Sequence, residues 1–233
     1  MSTNPVISVI MPCYNSAKFI ATGINSALEQ TFADFELIII NDGSTDNTLE
    51  IINHFSDPRI LVINQQNTGV CRARNNALGI AKGEFIGYTH ADMQTDPADV
   101  LKALEIIEQQ KEPQNCYVKG DRKGRPLFDQ FFTAGMSLFE TLYMGMKLWD
   151  INAQPNIFHK SFFESLQEIS PKDFSLDLFF LYKATLNKMN IIRFDVIFPP
   201  RIHGESSWNT GLASKWKFIK RTIEFSVKLK KEL

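Results

Sequence analysis

The stretch FELIIINDGSTDNT, residues 35–48, places a continuous apolar run directly before a turn rich in Asn, Asp, Gly and Ser. A short apolar run without polar alternation is typical of a strand that is buried on both faces, as in a parallel sheet. The polar residues that follow favour a turn, and Ser44 or Asp46 is suited to cap a helix that begins near Thr45. The stretch therefore predicts a strand, a turn and a helix in that order.

The same order recurs through the first part of the chain. Further strands are predicted at 6–12, 59–64 and 84–90, and helices at 17–30, 45–55 and 70–82. Alternation at this spacing predicts right-handed crossovers and an α/β fold with a doubly wound, mainly parallel sheet. Ligands bind such sheets beyond the carboxyl ends of the strands, so we expect three polar loops to meet there: PCYNS (12–16), NDGSTD (41–46) and THADMQTD (89–96).

The second half of the chain is less regular. Its patterns predict, in order, a helix at 97–110, a strand at 115–120, a basic loop at 121–130, an apolar helix at 131–148, a strand or loop at 151–158, a helix at 176–188 and a strand at 190–201. No linker divides the chain, which favours a single domain.

Composition limits the classes of protein to which this chain can belong. The three cysteines, Cys13, Cys71 and Cys116, are too scattered for a disulfide framework or a zinc ribbon, which favours a reducing compartment. The sequence shows neither a signal peptide nor an apolar run long enough to span a membrane. The net charge of −1 suggests no nucleic acid partner, but residues 212–233 hold seven basic and two acidic residues.

Four segments together resemble glycosyltransferase family 2: SVIMPCYN (8–15), LIIINDGSTDNT (37–48), NTGVCRARNNALGIAKGEFI (67–86) and HADMQTDP (90–97). Members of that family have a single-domain, Rossmann-like fold called GT-A. The resemblance implies a nucleotide-sugar half over 1–97 and an acceptor half over 98–211, within a domain that spans 1–211.

Later segments look most like the branch that moves a sugar from a nucleotide to a polyprenyl phosphate. They are VKGDRKGR (118–125), LWDINAQPNIF (148–158) and FPPRIHGESSWN (198–209). This likeness implies an inverting transfer of a hexose from a UDP- or GDP-sugar at the cytoplasmic face of a membrane. A homo-oligomer is left open.

Breaking a glycosyl–phosphate bond leaves negative charge on the nucleoside diphosphate, and a divalent cation commonly stabilises it. The resemblance implies Mg²⁺ or Mn²⁺, with Asp92 as a direct ligand and Gln94 as a second one. His90 stands where the family usually has an acid. Three roles stay open for His90: a hydrogen bond to the ribose or a phosphate, a nitrogen ligand to the metal, or a strand-end residue bonded to the backbone.

Residues that the resemblance assigns to the nucleotide lie in the same loops. Asp42 is the expected partner of the base or ribose, Pro12 and Tyr14 supply an apolar edge and a stacking surface, and one of Arg72 and Arg74 is expected to face the diphosphate. The remaining nucleotide residues implied by the resemblance are Asn15, Ser44 and Ala91. Ser16 replaces a Glu common in the polyprenyl branch, which leaves the nucleobase open.

The acceptor decides whether a base is needed. A lipid phosphate is already ionised and needs cations, for which Lys119, Arg122, Arg125 and Arg201 are the candidates. A saccharide hydroxyl needs a carboxylate base, for which Asp177 and Asp173 are the candidates, although Asp173 also suits a helix cap. Additional candidates for the acceptor and donor-sugar region are Asp150, Gln154 and His203.

Two alternatives to lipid glycosylation stay open: transfer to a saccharide hydroxyl in a surface polysaccharide, and sugar-nucleotide binding without catalysis. Residues 212–233 form a basic amphipathic pattern, with apolar residues at helical spacing between lysines. Such a helix either lies on an anionic membrane surface or covers the core of the protein.

Overall fold

The structure, a computed structural model, describes residues 4–89, 95–171, 175–198 and 212–231. The strands are β1 (Ile7–Cys13), β2 (Phe35–Asp42), β3 (Ile60–Gln65), β4 (Phe85–Tyr88), β5 (Cys116–Lys123), β6 (Asn156–His159) and β7 (Asn190–Ile197). The helices are α1 (Ile20–Leu28), α2 (Thr48–Asn53), α3 (Val70–Leu78), α4 (Asp99–Glu108), α5 (Leu127–Met144), α6 (Lys160–Glu164), α7 (Leu176–Leu186) and α8 (Leu212–Lys231).

The strands form one seven-stranded sheet in the order β3-β2-β1-β4-β6-β5-β7. β1 is parallel to β2 and β4, and β2 is parallel to β3, which confirms the predicted parallel half. β6 is antiparallel to both of its neighbours, β4 and β5, so β5 runs in the same direction as β4. The carboxyl ends of β1, β2, β4, β5 and β7 therefore lie at one edge of the sheet.

Both faces of the sheet are apolar, as the unbroken hydrophobic runs require. Ile7, Val9 and Met11 of β1 pack with α1 and α4 on one side. Ile10 and Tyr88 pack with α3 and α7 on the other, in a core that also receives side chains from α5 and α8. Because side chains alternate along a strand, a strand covered on both sides must be apolar at every position.

The predicted basic loop at 121–130 is wrong. Asp121 to Lys123 continue β5 and pair in parallel with Asp195 to Ile197 of β7, while α5 begins at Leu127 rather than Phe131. β7 is the last strand of the sheet, where charged side chains reach water without disturbing the ladder. The sequence predicted that β5 ends before these polar residues, but pairing with β7, which is distant in sequence, extends β5 through them.

Candidate active site

The loops that follow β1 and β2 are joined by Asn15. The backbone N–H of Asn15 donates to Ser44 Oγ at 2.9 Å, and Asn15 Oδ1 accepts from the backbone N–H of Thr45 at 2.8 Å. These bonds bring the predicted nucleotide residues Asn15 and Ser44 into contact. The adjacent Tyr14 is 51% exposed, which leaves its ring open to a stacking partner. Pro12 lies at the end of β1, paired with Ile40 of β2.

Asp42 is buried, and its carboxylate holds the start of α3. Oδ1 accepts from the backbone N–H of Thr68 at 2.9 Å, and Oδ2 accepts from the backbone N–H of Gly69 at 2.8 Å. A negative charge at a helix N-terminus satisfies free N–H groups and opposes the positive end of the helix dipole. The structure gives Asp42 a positioning role, and direct contact with the base or ribose stays a prediction.

Gly43 permits the close approach of the loops after β2 and β3. Its φ is +70°, and a Cβ at this position would lie 2.6 Å from the backbone nitrogen of Asn67. Both the conformation and the space therefore require glycine.

The predicted metal segment belongs between β4 and α4. Asp92, Gln94, His90 and Ala91 lie outside the described residues, so their roles stay predictions. Both flanks of the segment are at the carboxyl edge: the N–H of Thr89 donates to the Ile10 carbonyl at 3.1 Å, and the hydroxyls of Thr89 and Thr95 are 3.2 Å apart. Among the residues that the structure describes, no group of three His, Cys, Asp or Glu side chains could hold a metal ion.

Arg122 and Asp150 form the centre of a buried charged cluster at the carboxyl end of β5. Arg122 Nε donates to both carboxylate oxygens of Asp150, at 3.0 and 3.1 Å, and Nη2 also contacts Oδ1. Burial alone would raise the pKa of Asp150, but the hydrogen bonds and charge of Arg122 hold that pKa below its usual value. Arg122 is therefore engaged by a buried anion.

Arg125 adds a second guanidinium to this centre. Its Nη1 donates to Thr133 Oγ1 at 2.8 Å and lies 4.0 Å from Asp150 Oδ1. Burial lowers the pKa of Arg125, and the neighbouring charge of Arg122 lowers it further. The ring of Phe198 lies beneath both guanidinium groups, 5.2 Å from Arg122 Cζ and 5.7 Å from Arg125 Cζ.

Three buried polar atoms near Asp150 have no hydrogen-bond partner among the described residues. They are Arg125 Nε, Arg193 Nη1 and Gln154 Oε1. Buried polar groups are nearly always paired, so these atoms have the capacity for a further partner: a water, a ligand or a residue outside the described ranges. Arg193 was not among the predicted site residues, because an arginine within a strand pattern carries no distinguishing signal.

Lys119 makes its hydrogen bonds in the interior of the protein. It is fully buried, and its Nζ donates to the carbonyls of Ile151 and Ala153 at 2.8 and 2.7 Å and to Asn156 Oδ1 at 3.0 Å. Burial lowers its pKa from 10.5 to about 7. Contact between Lys119 and an acceptor stays a prediction, which this position does not favour because the side chain projects into the protein from the middle of β5.

Arg74 and Asp177 also have structural positions. Arg74 Nη1 lies 3.2 Å from Asp177 Oδ1, the Tyr88 hydroxyl donates to the same oxygen at 2.8 Å, and the Arg74 guanidinium lies over the Tyr88 ring. All three side chains belong to the buried layer between the sheet, α3 and α7. A base must reach a substrate, so this buried position does not favour Asp177 as a base, a role that stays a prediction. Arg72, which is exposed on α3, is the arginine still able to face the diphosphate.

Asp173, Arg201 and His203 lie outside the described residues, and their predicted roles are unchanged.

α8 packs through its apolar side: Ser226 and Leu229 are buried, and Phe225 contacts the core. Covering the core of the protein is therefore one role of α8, while membrane contact stays a prediction. In the described parts of the chain, no helix combines the length and apolarity that a membrane span needs.

The fold agrees with known structures. Glucosyl-3-phosphoglycerate synthase from Mycobacterium tuberculosis, crystallised with Mn²⁺, UDP and glucosyl-3-phosphoglycerate, matches with a TM-score of 0.71 and 17% sequence identity. The match covers 94% of this chain and 77% of that chain. At this identity the likeness shows the fold, which is GT-A as predicted.

Sequence relatives point the same way. A chondroitin synthase from Pasteurella multocida (strain Pm70) is 43% identical over 103 residues, which are 43% of this chain and 11% of that protein. An Escherichia coli UDP-Glc:alpha-D-GlcNAc-diphosphoundecaprenol beta-1,3-glucosyltransferase, WfgD, is 43% identical over 88 residues, which are 37% of this chain and 35% of that protein. The chain thus spans a small part of these relatives.

The two relatives do not establish the polyprenyl-phosphate branch. A family model described as glycosyl transferase family 2 matches residues 8–165, which is more than half of the chain. The matched range includes the loops after β1 and β2, all of β5, and Arg125. The chain belongs to glycosyltransferase family 2.

Proposed function

We propose that this protein transfers a hexose from a UDP- or GDP-sugar to a polyprenyl phosphate, with inversion at the anomeric carbon. The observation that carries the proposal is that two chemically different groups of residues lie at the same edge of the sheet. The loops joined by Asn15 lie at the ends of β1 and β2, and the Arg122–Arg125 centre lies at the end of β5. β1 and β5 are three strand positions apart, or about 14 Å.

In sequence, residues 90–94 lie between the loops joined by Asn15 and the Arg122–Arg125 centre. They are outside the described residues. Asp92 and Gln94 offer oxygen donors of the kind that Mg²⁺ and Mn²⁺ prefer, which fits a metal-dependent family member. A divalent cation, when bound, would stabilise negative charge on the departing nucleoside diphosphate. The synthase with the same fold was crystallised with Mn²⁺ and UDP, which supports this assignment.

The acceptor phosphate would approach the donor from the Arg125 side. Its oxygen forms a bond to the anomeric carbon as the bond between that carbon and the diphosphate breaks, and the bonding electrons leave with the diphosphate. The acceptor is already ionised, so no proton has to be removed. The unpartnered Nε of Arg125 and Nη1 of Arg193 are buried donors suited to a phosphate oxygen.

A saccharide hydroxyl is the second candidate acceptor. The relatives named above are a chondroitin synthase and a glucosyltransferase whose name gives its acceptor as a sugar on diphosphoundecaprenol. This reaction needs a base, and with Asp177 buried in an ion pair the remaining predicted base is Asp173. Sugar-nucleotide binding without catalysis is the third reading, and turnover of any sugar nucleotide would exclude it.

Thermal-shift screening of UDP- and GDP-sugars with Mn²⁺ selects the donor, because a ligand that binds only the folded state raises the melting temperature. The radiolabelled donor is then supplied with undecaprenyl phosphate or with an oligosaccharide, and the products are partitioned into organic solvent. We expect label in the organic phase with the lipid acceptor, abolished by Asp92→Asn and retained by Asp195→Asn, a matched change of an exposed carboxylate. Label that enters only the oligosaccharide would overturn the lipid acceptor and support the second candidate.

A further inference from the structure

α5 presents large apolar side chains to solvent along one side. Leu127, Phe131, Leu138 and Leu142 are 73%, 76%, 55% and 73% exposed. At about 100° per residue these four positions fall within about 60° of the helix circumference, and they extend over about 22 Å of its length. We call them the α5 apolar row. The outer face of a helix in a water-soluble protein is normally polar, so a continuous row of this size marks a contact surface.

The α5 apolar row is not used in the packing of the described chain. The buried side of the same helix carries Ser137, Glu140 and Met144. α8 contacts that helix elsewhere, through a hydrogen bond from Ser226 to Glu140 and through Lys230 over the ring of Tyr143. The row therefore faces neither the core nor α8.

α5 and α8 lie on the same side of the sheet, since Met144 and Leu229 belong to one core cluster. They run in the same direction, because Glu140 and Tyr143 meet Ser226 and Lys230 in the same order along both helices. Trp216, which is 66% exposed near the start of α8, therefore lies toward the Leu127 end of α5.

The exposed charges of α8 are mainly positive. Among its described side chains, the exposed charged residues are Lys217, Lys220, Glu224, Lys228, Lys230 and Lys231. An apolar row beside lysines and an exposed tryptophan matches the chemistry of an anionic bilayer surface, where apolar groups enter the acyl boundary and lysines meet phosphates. A symmetric second copy is a poorer partner, because it would place one lysine-rich helix near another.

We propose that the α5 apolar row is a membrane-docking surface, which inserts below the headgroups of an anionic lipid bilayer while the lysines of α8 contact the headgroups. The row begins at Leu127, two residues after Arg125, so docking would hold the Arg122–Arg125 edge near the lipid surface. The surface is defined without reference to any reaction, so this inference stands apart from the proposed transfer.

Cosedimentation of the full chain with lipid vesicles tests the proposal without any sugar nucleotide. The vesicles contain phosphatidylcholine alone or phosphatidylcholine mixed with phosphatidylglycerol. We expect binding to the mixed vesicles and at least an approximately tenfold weaker partition coefficient for Phe131→Ser/Leu142→Ser. The matched control is Ile80→Ser/Leu186→Ser, at two apolar side chains that are each 43% exposed, one in the turn after α3 and one at the end of α7. The control should bind as the unaltered protein does.

Lys220→Gln/Lys228→Gln tests the electrostatic part, and should remove the preference for phosphatidylglycerol while leaving the weaker binding to phosphatidylcholine. Circular dichroism and melting temperature confirm that each variant is folded. The proposal is overturned if the unaltered chain does not bind vesicles, or if the Phe131→Ser/Leu142→Ser variant binds as well as the control. A concentration-dependent dimer that this variant abolishes, without vesicle binding, would assign the row to a second copy instead.

Discussion

Arg74 and Asp177 form a buried ion pair, with Nη1 and Oδ1 3.2 Å apart, although 103 residues separate them in sequence. The pair joins α3 to α7 beneath β4, where the Tyr88 hydroxyl donates to the same carboxylate oxygen. Removing one member of a buried pair leaves an uncompensated charge in a medium of low dielectric constant.

Asp177→Asn should therefore lower the free energy of unfolding by roughly 3–5 kcal/mol. Urea denaturation measures this change. The double variant Arg74→Met/Asp177→Leu removes both charges and should cost less than the sum of the two single changes. At a temperature where Asp177→Asn is fully folded, its transfer rate should stay within about threefold of the unaltered protein, since the carboxylate does not reach substrate. A loss of about a hundredfold under those conditions would restore Asp177 as a base.

Glu140 should make stability depend on pH. It is fully buried in α5 and accepts a hydrogen bond from Ser226, and burial raises its pKa from 4.5 to about 7. The folded protein holds this proton more tightly than the unfolded chain, so the contribution is fully present below pH 4.5 and is lost as the pH rises through about 7. Relative to Glu140→Gln, the unaltered protein should lose up to about 3 kcal/mol across that window.

Urea titrations of the unaltered protein and of Glu140→Gln at several pH values between 4.5 and 8 test this prediction around the folded pKa of about 7. Glu164→Gln, at an exposed carboxylate of α6, is the control and should follow the unaltered protein. If the free energy of unfolding changes with pH in the same way for all three proteins, the pKa of Glu140 is not raised.

Lys119→Met should destabilise the protein without changing the affinity for the acceptor. Loss of the ammonium group leaves the carbonyls of Ile151 and Ala153 and Asn156 Oδ1 without a donor, at a cost of about 1–3 kcal/mol for a buried acceptor. Calorimetry measures the stability and initial rates measure the acceptor KM. A KM that rises about tenfold while the melting temperature is unchanged would place Lys119 in contact with the acceptor after all.

The Lys119 pKa adds a second readout to the same variant. The folded-state pKa is about 7 and the reference value is 10.5, so between these values the unfolded chain binds a proton that the folded protein lacks. Stability from this group therefore increases with pH across that range. The stability difference between the unaltered protein and Lys119→Met should widen as the pH rises from 7 to 9.

Asp42→Asn should loosen the loop that leads into α3. One oxygen becomes an NH₂ group that faces backbone donors at Thr68 or Gly69, which costs about 1–3 kcal/mol. Asp57→Asn, which removes a partly exposed pair with Arg59, is the control and should cost less than about 1 kcal/mol. Nucleotide affinity, measured by calorimetric titration with Mn²⁺, should fall for Asp42→Asn alone. Equal affinity in both variants would show that the loop does not contribute to the donor site.

Arg125→Gln should weaken the acceptor more than the donor. It removes the buried donor at Nε and one of the two guanidinium groups over Phe198. We expect the acceptor KM to rise about tenfold, or about 1.4 kcal/mol, while the donor KM is unchanged. Lys123→Gln changes an exposed lysine two residues away and is the matched control. If Arg125→Gln and Lys123→Gln change the acceptor KM equally, the buried position of Arg125 does not give it a role in acceptor binding.

The four apolar runs of the first half were enough to predict β1 to β4 to within a few residues, and the polar turns after them predicted which loops share an edge. That success has a local cause, because each run carries its own burial pattern within a few residues. β6 was left undecided between strand and loop, since its place between β4 and β5 depends on antiparallel partners far away in sequence.

The roles of the charged candidates were harder to assign, because the sequence does not show which residue a charged side chain will pair with. Lys119 and Asp177 were candidates for contact with a substrate, Arg74 was one of two arginines of which one was expected at the diphosphate, and Arg122 was expected to be available to a phosphate. Packing instead placed the first three in the interior and set Arg122 against Asp150. Residue type and spacing were thus sufficient for the parallel half of the sheet, the edge where its polar loops meet and the family. Which charges face substrate was decided by contacts across about 30 to 100 residues, because the cost of burying a charge depends on the partner that the fold brings to it.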